Sequence, residues 1–207
     1  MHDSNTAPML GLVLAGGQSR RMGQDKASLD WGGMPLWRKQ AELLKACGLS
    51  VGVSIREGQV LPGSNAYEDA LISDAFEGAG PLAGWMSAWQ KFPNHALLVV
   101  ACDLPLLDVS TIQTLIEQRS PNAWATAYRS SSDSLPEPMC AIYEPSAKPI
   151  FEAAMKADRR CPRKLLIEGG ADVCLIELAE PTALDNANTP EEFTRLQGLA
   201  QPTSSAQ

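Results

Sequence analysis

Three basic side chains follow a pair of glycines near the start of the chain: Arg20, Arg21 and Lys26 come after Gly16 and Gly17. Glycine permits positive φ and a close approach of the backbone, so its N–H groups can point at phosphate oxygens. The basic side chains supply the countercharge. This segment therefore predicts a phosphate cradle, although a plain turn with solvated arginines would have the same composition.

The spacing of the cradle excludes the two commonest phosphate-binding motifs. In a P-loop, glycine precedes the lysine and serine or threonine follows it, whereas an aspartate and an alanine flank Lys26. A dinucleotide fingerprint has the spacing Gly-x-Gly-x-x-Gly, which the glycines from Gly16 onward do not have. If this segment binds phosphate, it belongs to another class of nucleotide or phosphate site.

Two aspartates follow apolar runs and are candidates for metal chemistry. Asp103 comes directly after residues 96–102 and just before Pro105, and Asp74 follows a shorter run. Carboxylates are the ligands that a hard cation such as Mg²⁺ prefers, and the chain has no Cys-x-x-Cys pair for a softer metal. Aspartates also cap helices and form turns. Asp103 is thus a candidate metal ligand, and Asp74 is a second ligand or a loop residue.

A third glycine-rich segment, residues 78–84, ends at Gly84. Close approach of the backbone to a base, ribose or phosphate is one reason for glycine at such a place. A tight turn into the following helix, which carries Trp85, is the other. The sequence leaves these two interpretations open.

Apolar runs and helical periodicity alternate along the chain and predict the elements that position these side chains. Strands are predicted at residues 10–15, 51–55, 71–72, 96–101, 123–128, 139–144 and 173–178. Helices are predicted at residues 35–47, 82–89, 110–119, 146–157 and 162–168, with a last one that starts at the capping box Thr189-Pro-Glu-Glu192. The alternation predicts a three-layer α/β/α fold with a mostly parallel, twisted, Rossmann-like sheet. Ligands bind such sheets at the carboxyl ends of the strands, where the cradle, Arg56, Asp74 and Asp103 would meet.

Size and charge limit the classes of function. The 207 residues predict one domain over residues 9–197, with tails at 1–8 and 198–207. A net charge of −7 argues against a nucleic-acid partner. The apolar run 96–102 is much shorter than the roughly 20 residues that span a bilayer, and no basic segment precedes the first apolar run. We expect a cytoplasmic protein with no membrane partner.

Five ordered motifs resemble those of the molybdenum cofactor guanylyltransferases. They are Leu14-Ala-Gly-Gly-Gln-Ser-Arg-Arg-Met-Gly-Gln-Asp-Lys26, Gly33-Met-Pro-Leu36, Gly80-Pro-Leu-Ala-Gly84, Cys102-Asp-Leu-Pro105 and Asn186-Ala-Asn-Thr-Pro-Glu-Glu192. The first motif is shared with many nucleotidyltransferases of the same fold, and the third and last are more specific. The resemblance implies a nucleotidyltransferase fold and transfer of GMP from GTP, with Mg²⁺, to the terminal phosphate of molybdenum-molybdopterin.

The resemblance also implies residue roles. Lys26 binds the nucleotide phosphates, Asp103 holds Mg²⁺, and Asn186 and Asn188 lie near the pterin. The nucleotide contacts implied by the resemblance come from Leu14, Ala15, Gly16, Asp74 and Gly84. The cradle residues Gly17 and Arg21 complete this set, and Lys26, Arg21 and Asp103 form the expected catalytic group.

One departure from the family concerns the base. The second strand of the family usually ends with an asparagine in the guanine pocket, whereas this chain has Ser54-Ile-Arg-Glu57. Arg56 would either make a bidentate contact with guanine O6 and N7 or point to solvent. Three alternatives therefore stay open: a cytidylyltransferase acting on molybdopterin, a nucleotidyltransferase acting on a sugar or polyol phosphate, and a non-catalytic nucleotide-binding module.

The serine-rich segment 129–136 is expected to be a loop that covers the acceptor or contacts a protein delivering or receiving the cofactor.

Overall fold

Strands and helices alternate in the computed structural model, which describes residues 6–17, 25–76 and 80–200. The strands are β1 Met9–Leu14, β2 Ser50–Ile55, β3 Leu71–Ser73, β4 Ala96–Ala101, β5 Ala125–Arg129, β6 Pro136–Tyr143 and β7 Val173–Glu177. The α-helices of these residues are α1 Leu36–Ala46, α2 Leu82–Lys91, α3 Val109–Glu117, α4 Lys148–Lys156, α5 Pro162–Gly169 and α6 Pro190–Ala200. The predicted α/β class is confirmed.

The seven strands form one sheet in the order β3-β2-β1-β4-β6-β5-β7. All pairs are parallel except those of β6, which runs antiparallel to both β4 and β5. The reversal follows from the short connection between β5 and β6, because a parallel crossover needs a dozen or more residues. Arg129 pairs with Pro136. Both ends of the predicted 129–136 loop were therefore wrong, and the loop itself is shorter.

Apolar side chains cover both faces of the sheet and make three layers. α1 and α3 pack on one face, with Trp37, Leu44 and Ile112 in its core. α2, α4 and α5 pack on the other face. There the rings of Trp85 and Phe151 meet at a centroid distance of 5.8 Å, so this tryptophan is a core residue, as its helical spacing predicted.

The last helix begins as its sequence predicts. The Thr189 hydroxyl accepts a 3.2 Å hydrogen bond from the backbone N–H of Glu192, and the Glu192 carboxylate accepts a 2.7 Å bond from the N–H of Asn188. The helix continues to Ala200. The predicted start of the C-terminal tail at residue 198 therefore lies inside α6, a correction to that boundary.

The described helices are all too short or too polar to cross a membrane.

Candidate active site

The carboxyl ends of β1, β2, β3 and β4 meet at one edge of the sheet. Ladder hydrogen bonds continue past the strands: the Ala15 N–H donates to the Ser54 carbonyl at 2.9 Å, and the Asp74 N–H donates to the Ile55 carbonyl at 2.8 Å. Asp103 follows the end of β4 by two residues. The expectation that both carboxylates lie at the edge carrying the glycines is confirmed.

Lys26 joins two residues from distant parts of the sequence. Its ammonium donates to Asp103 Oδ2 at 2.9 Å and to Asn188 Oδ1 at 2.6 Å. The side chains of Lys26 and Asp103 are 16% and 19% exposed, so water screens this ion pair less than it would at the surface. The structure thus brings together three residues that the sequence predicts for the phosphates, the metal and the pterin side.

The peptide before α6 fixes Asn188 at this place. The Ala187 N–H donates to the Asp103 carbonyl at 3.0 Å. The next N–H, that of Asn188, is held by the capping carboxylate of Glu192. These two hydrogen bonds fix the backbone at Asn188. The side-chain amide oxygen of Asn188 then accepts from Lys26.

Helix α1 supports the turn that carries Asp103. Gln40 is buried and donates from Nε2 to the Leu104 carbonyl at 2.7 Å, and Lys39 donates from Nζ to the Leu107 carbonyl at 2.8 Å. Burial lowers the pKa of Lys39 to about 8, against an opposing effect of the nearby Asp108. The contact with the Leu104 carbonyl explains why Gln40, a polar residue, is buried on the face of α1 that packs on the sheet.

Two residues that were not predicted from the sequence, Asp25 and Gln59, support the turn that carries Lys26. Asp25 accepts from the Ala27 N–H at 3.1 Å and so caps the short 3₁₀ turn Lys26–Ser28. Gln59 donates from Nε2 to Asp25 Oδ2 at 2.6 Å and to the Ala15 carbonyl at 2.9 Å. Asp25 carries a recognisable signal, since aspartate is a common cap, whereas Gln59 lies in an irregular segment without periodicity.

Asp74 lies in a polar recess beneath two glycines. The Ser54 hydroxyl donates to Asp74 Oδ1 at 2.6 Å. A Cβ on Gly16 would be 2.9 Å from Asp74 Oδ2, and one on Gly84 would be 2.6 Å from Ser54 Oγ. Burial raises the pKa of Asp74, while Ser54 and Arg56 oppose that shift. Both glycines are thus packed directly against protein atoms, and a side chain at either position would displace Asp74 or Ser54.

The Arg56 guanidinium lies on the Lys26 side of the recess. Its Nη2 is 3.4 Å from Asp25 Oδ2, and the side chain is 42% exposed. Its stem passes within 3.4 Å of the position that a Cβ on Gly16 would take. A contact with guanine stays a prediction for this residue.

Of the remaining predicted cradle residues, the structure describes Gly17 but neither arginine. Gly17 is exposed and has open space around it. Arg20 and Arg21 lie outside the described residues.

A groove extends from Asp103 along the other side of the site. A cavity of about 100 Å³ is lined by Asp103, Glu137, Arg163 and Asn186, among others. A second cavity, of about 200 Å³, shares Glu137, Arg163 and Asn186 and reaches the serines of the β5–β6 loop. Arg163 donates to Glu137 Oε2 at 2.8 Å and to Asp133 Oδ2 at 2.9 Å, which ties this loop to α5. The sequence analysis identified Asn186 but missed Glu137 and Arg163.

The carboxylate of Asp103 fits the way in which proteins bind Mg²⁺. In residues 6–17, 25–76 and 80–200 no three His, Cys, Asp or Glu side chains are grouped as metal ligands. Mg²⁺ commonly takes one or two carboxylates and completes its shell with water and substrate phosphates. Asp103 uses Oδ2 toward Lys26, and its second oxygen offers lone pairs to a cation.

Comparisons with known proteins extend over most of the chain. The sequence model described as the MobA-like NTP transferase domain matches residues 11–173. The molybdenum cofactor guanylyltransferase of Pseudomonas paraeruginosa is 32% identical and covers 92% of this chain and 96% of its own length. The probable molybdenum cofactor guanylyltransferase of Bacillus subtilis is also 32% identical, over 90% and 93%. A bifunctional molybdenum cofactor biosynthesis protein of Synechocystis is 33% identical, and this chain spans 55% of it.

Solved structures support the fold. Molybdopterin-guanine dinucleotide biosynthesis protein A from Archaeoglobus fulgidus superposes with a TM-score of 0.74 at 24% identity, covering 92% of this chain and 98% of its own. A nucleotidyl transferase from Methanothermobacter gives 0.70 at 14% identity, covering 95% and 98%. The predicted nucleotidyltransferase fold is confirmed.

Proposed function

Because the chain belongs to the MobA-like NTP transferase family, we propose that it transfers GMP from GTP to the terminal phosphate of molybdenum-molybdopterin. The products are the molybdopterin guanine dinucleotide cofactor and pyrophosphate. The chain is a nucleotidyltransferase, as the sequence predicts. The base, the acceptor and the residue roles that follow are our proposal.

The observation that carries the proposal is the position of Lys26 between Asp103 and Asn188. One neighbour lies at the strand edge with the nucleotide residues, and the other belongs to the motif that the resemblance assigns to the pterin side. A lysine between two substrates is suited to the phosphate on which they react. We assign it to the α-phosphate of GTP.

The chemistry is a displacement at that phosphorus. An oxygen of the acceptor phosphate forms a bond to the α-phosphorus, the bond to the β-phosphate oxygen breaks, and pyrophosphate leaves with the electron pair. A phosphate monoester has a second pKa of about 6, so it is already an anion near neutral pH and needs no general base. Lys26 acts by stabilising the negative charge that gathers on the transferring group.

Asp103 would hold Mg²⁺ next to Lys26. The cation, when bound, supplies additional positive charge to the phosphates of the nucleotide. The half-buried carboxylate at the end of β4 supports this assignment, because β4 is buried along its whole length and fixes the turn that follows.

The recess at Asp74 supports guanine as the base. Guanine presents the N1–H and the 2-amino group side by side, and a carboxylate accepts from both. Cytosine presents an acceptor at N3, which would face the carboxylate unfavourably. The hydroxyl of Ser54 holds Asp74 in place, and the lack of a side chain at Gly16 and Gly84 lets the neighbouring chain pack closely around this carboxylate. Arg56 would then act on the phosphate side, near Asp25, and its guanine contact is the less favoured alternative.

The groove beyond Asp103 is our candidate for the acceptor. It begins at the proposed metal ligand and passes Asn186, Glu137 and Arg163. Its far end lies at the serine loop, which is where a cofactor-delivering or cofactor-receiving protein would make transient contact. The cytoplasmic location and these protein contacts stay predictions.

The decisive test supplies protein and Mg²⁺ with GTP, CTP or ATP in turn. The acceptor is molybdenum-charged molybdopterin or, in parallel assays, a sugar or polyol phosphate. Pyrophosphate and the dinucleotide product are measured. Product with GTP is expected. Product with CTP alone would refute the base assignment, and pyrophosphate release only with sugar or polyol phosphates would refute the acceptor. Asp103→Ala should abolish Mg²⁺-dependent turnover. An unchanged rate in that variant would remove the metal role of Asp103.

A further inference from the structure

The side chain of Gln59 makes three hydrogen bonds at the base of the site. Its Nε2 donates to Ala15 O at 2.9 Å and to Asp25 Oδ2 at 2.6 Å, and its Oε1 accepts from the Arg56 N–H at 2.9 Å. One amide therefore bonds to the end of β1, to the residue before Lys26 and to the end of β2. We infer that Gln59 is the positioning residue that fixes Lys26 relative to the strand ends.

The local chain explains how Gln59 reaches these partners. Its backbone N–H donates to the Arg56 carbonyl at 3.1 Å, which closes a four-residue turn. Gly58 adopts φ +71°, the left-handed conformation that a turn of this kind requires at its third position. The turn folds the chain back, so that the side chain of Gln59 returns over β1 and does not continue along β2.

Gln59 is connected to Lys26 through Asp25. Gln59 holds Oδ2 of Asp25, while Oδ1 of the same carboxylate accepts from the Ala27 N–H. Asp25 thus has one oxygen on Gln59 and the other on the 3₁₀ turn that begins at Lys26. Movement of Asp25 would move this turn and with it the lysine that contacts Asp103 and Asn188.

The assignment concerns the nucleotide half of the site and rests on the proposed function only for its kinetic consequence. None of the three side-chain hydrogen bonds of Gln59 is made to a residue that lines the groove beyond Asp103. We therefore expect its loss to impair the use of GTP and to leave the KM for the acceptor unchanged. A residue that merely stabilised the fold would not produce this division.

The test compares Gln59→Leu and Gln59→Glu with the matched variants Gln90→Leu and Gln90→Glu, which change an exposed glutamine of α2. Displacing a reacting group by about 1 Å can cost about a hundredfold in rate. We expect kcat/KM for GTP to fall about 10- to 100-fold in both Gln59 variants and to stay unchanged in both Gln90 variants.

A double variant supplies the rescue. In Gln59→Glu the new carboxylate faces that of Asp25, and the two repel each other. Adding Asp25→Asn restores a hydrogen bond with its polarity reversed, because the asparagine amide donates to the glutamate and its oxygen still caps Ala27. We expect the double variant to recover part of the lost kcat/KM, so that the effects of the two single changes do not add.

A second readout follows Lys26 without any turnover. A neutral acylating reagent modifies lysine amines, and mass spectrometry compares Lys26 with the exposed Lys156 of α4 as an internal reference. We expect faster modification of Lys26 in both Gln59 variants and a return toward the wild-type rate in the double variant. Unchanged labelling together with unchanged kinetics would overturn the role of Gln59, as would a loss of activity without rescue. Absence of transfer by the wild-type protein would refute the proposed function, while the labelling would still decide the role of Gln59.

Discussion

The Lys26 ammonium lies 2.6 Å from the amide oxygen of Asn188, although 162 positions separate the two residues. This contact joins the turn after β1 to the peptide before α6. Together with the ion pair to Asp103, it makes Lys26 the point at which the predicted nucleotide and pterin residues meet.

Lys26→Ala is expected to lower kcat by about 10²- to 10³-fold, because a single preorganised charge at a transferring phosphate contributes on that scale. The measurement is steady-state pyrophosphate release with GTP and the acceptor. Lys156→Ala removes the same charge from the surface of α4 and should leave the rate unchanged. Wild-type turnover by the Lys26 variant would refute its role at the phosphates.

Asn188→Ala and Asn186→Ala are expected to differ. Asn188→Ala removes the oxygen that holds Lys26 but keeps the N–H that the Glu192 cap accepts, so we expect kcat to fall about tenfold with α6 intact. Asn186 lines the groove, so Asn186→Ala should raise the KM for the acceptor. Titration of each variant with GTP is the control, and weaker GTP binding by the Asn186 variant would contradict this division.

Gly84→Ala is expected to destabilise the protein by about 1–3 kcal/mol, since the new Cβ would lie 2.6 Å from Ser54 Oγ and 2.7 Å from Leu14 Cδ2. Gly198→Ala is the matched change in α6, where a Cβ meets nothing within 4 Å, and helix propensity should then stabilise by up to about 1 kcal/mol. Urea unfolding measures both. Equal effects of the two changes would show that the packing around Gly84 is not restrictive.

Lys39→Met should change how stability depends on pH. Burial lowers the pKa of Lys39 from 10.5 to about 8, so between these pH values the unfolded chain binds more protons at this site than the folded chain. As the pH rises through this window, the free energy of unfolding of the wild type therefore increases relative to that of the variant. The increase is about 3 kcal/mol at most. Below pH about 8 the difference should be constant. The measurement is the free energy of unfolding of both proteins across this pH range, with Lys156→Met as the control. A parallel change of the two free energies with pH would contradict the prediction.

Much of the fold follows from local sequence. The run of six apolar residues in β4 and the capping box of α6 were predicted because each is a short-range pattern. The reversed direction of β6 was not predicted. The signal was present, since the residues between the two strands are too few for a crossover, but that segment was interpreted from its serine-rich composition alone.

The residues of the candidate site that lie in local sequence motifs could be predicted from the sequence. Asp74 and Asp103 follow recognisable strand ends, and Lys26 belongs to a glycine-rich segment with two arginines. Gln59 has no such mark, because its role depends on a turn at Gly58 and on partners that only the folded chain brings near. The contact of Lys26 with Asn188 is of the same kind, since each residue was identified but no local rule relates them.

The single reversed strand, β6, has a consequence for how this fold can diversify. The loop between β5 and β6 borders the groove proposed for the acceptor, while the parallel strands β1 to β4 end at the residues proposed for the nucleotide. Surface loops tolerate insertions and deletions far better than the strands that they connect. If the proposed sites are correct, selection can lengthen or recompose the loop beside the acceptor without shifting the strands beside the nucleotide, so the two specificities are able to evolve separately.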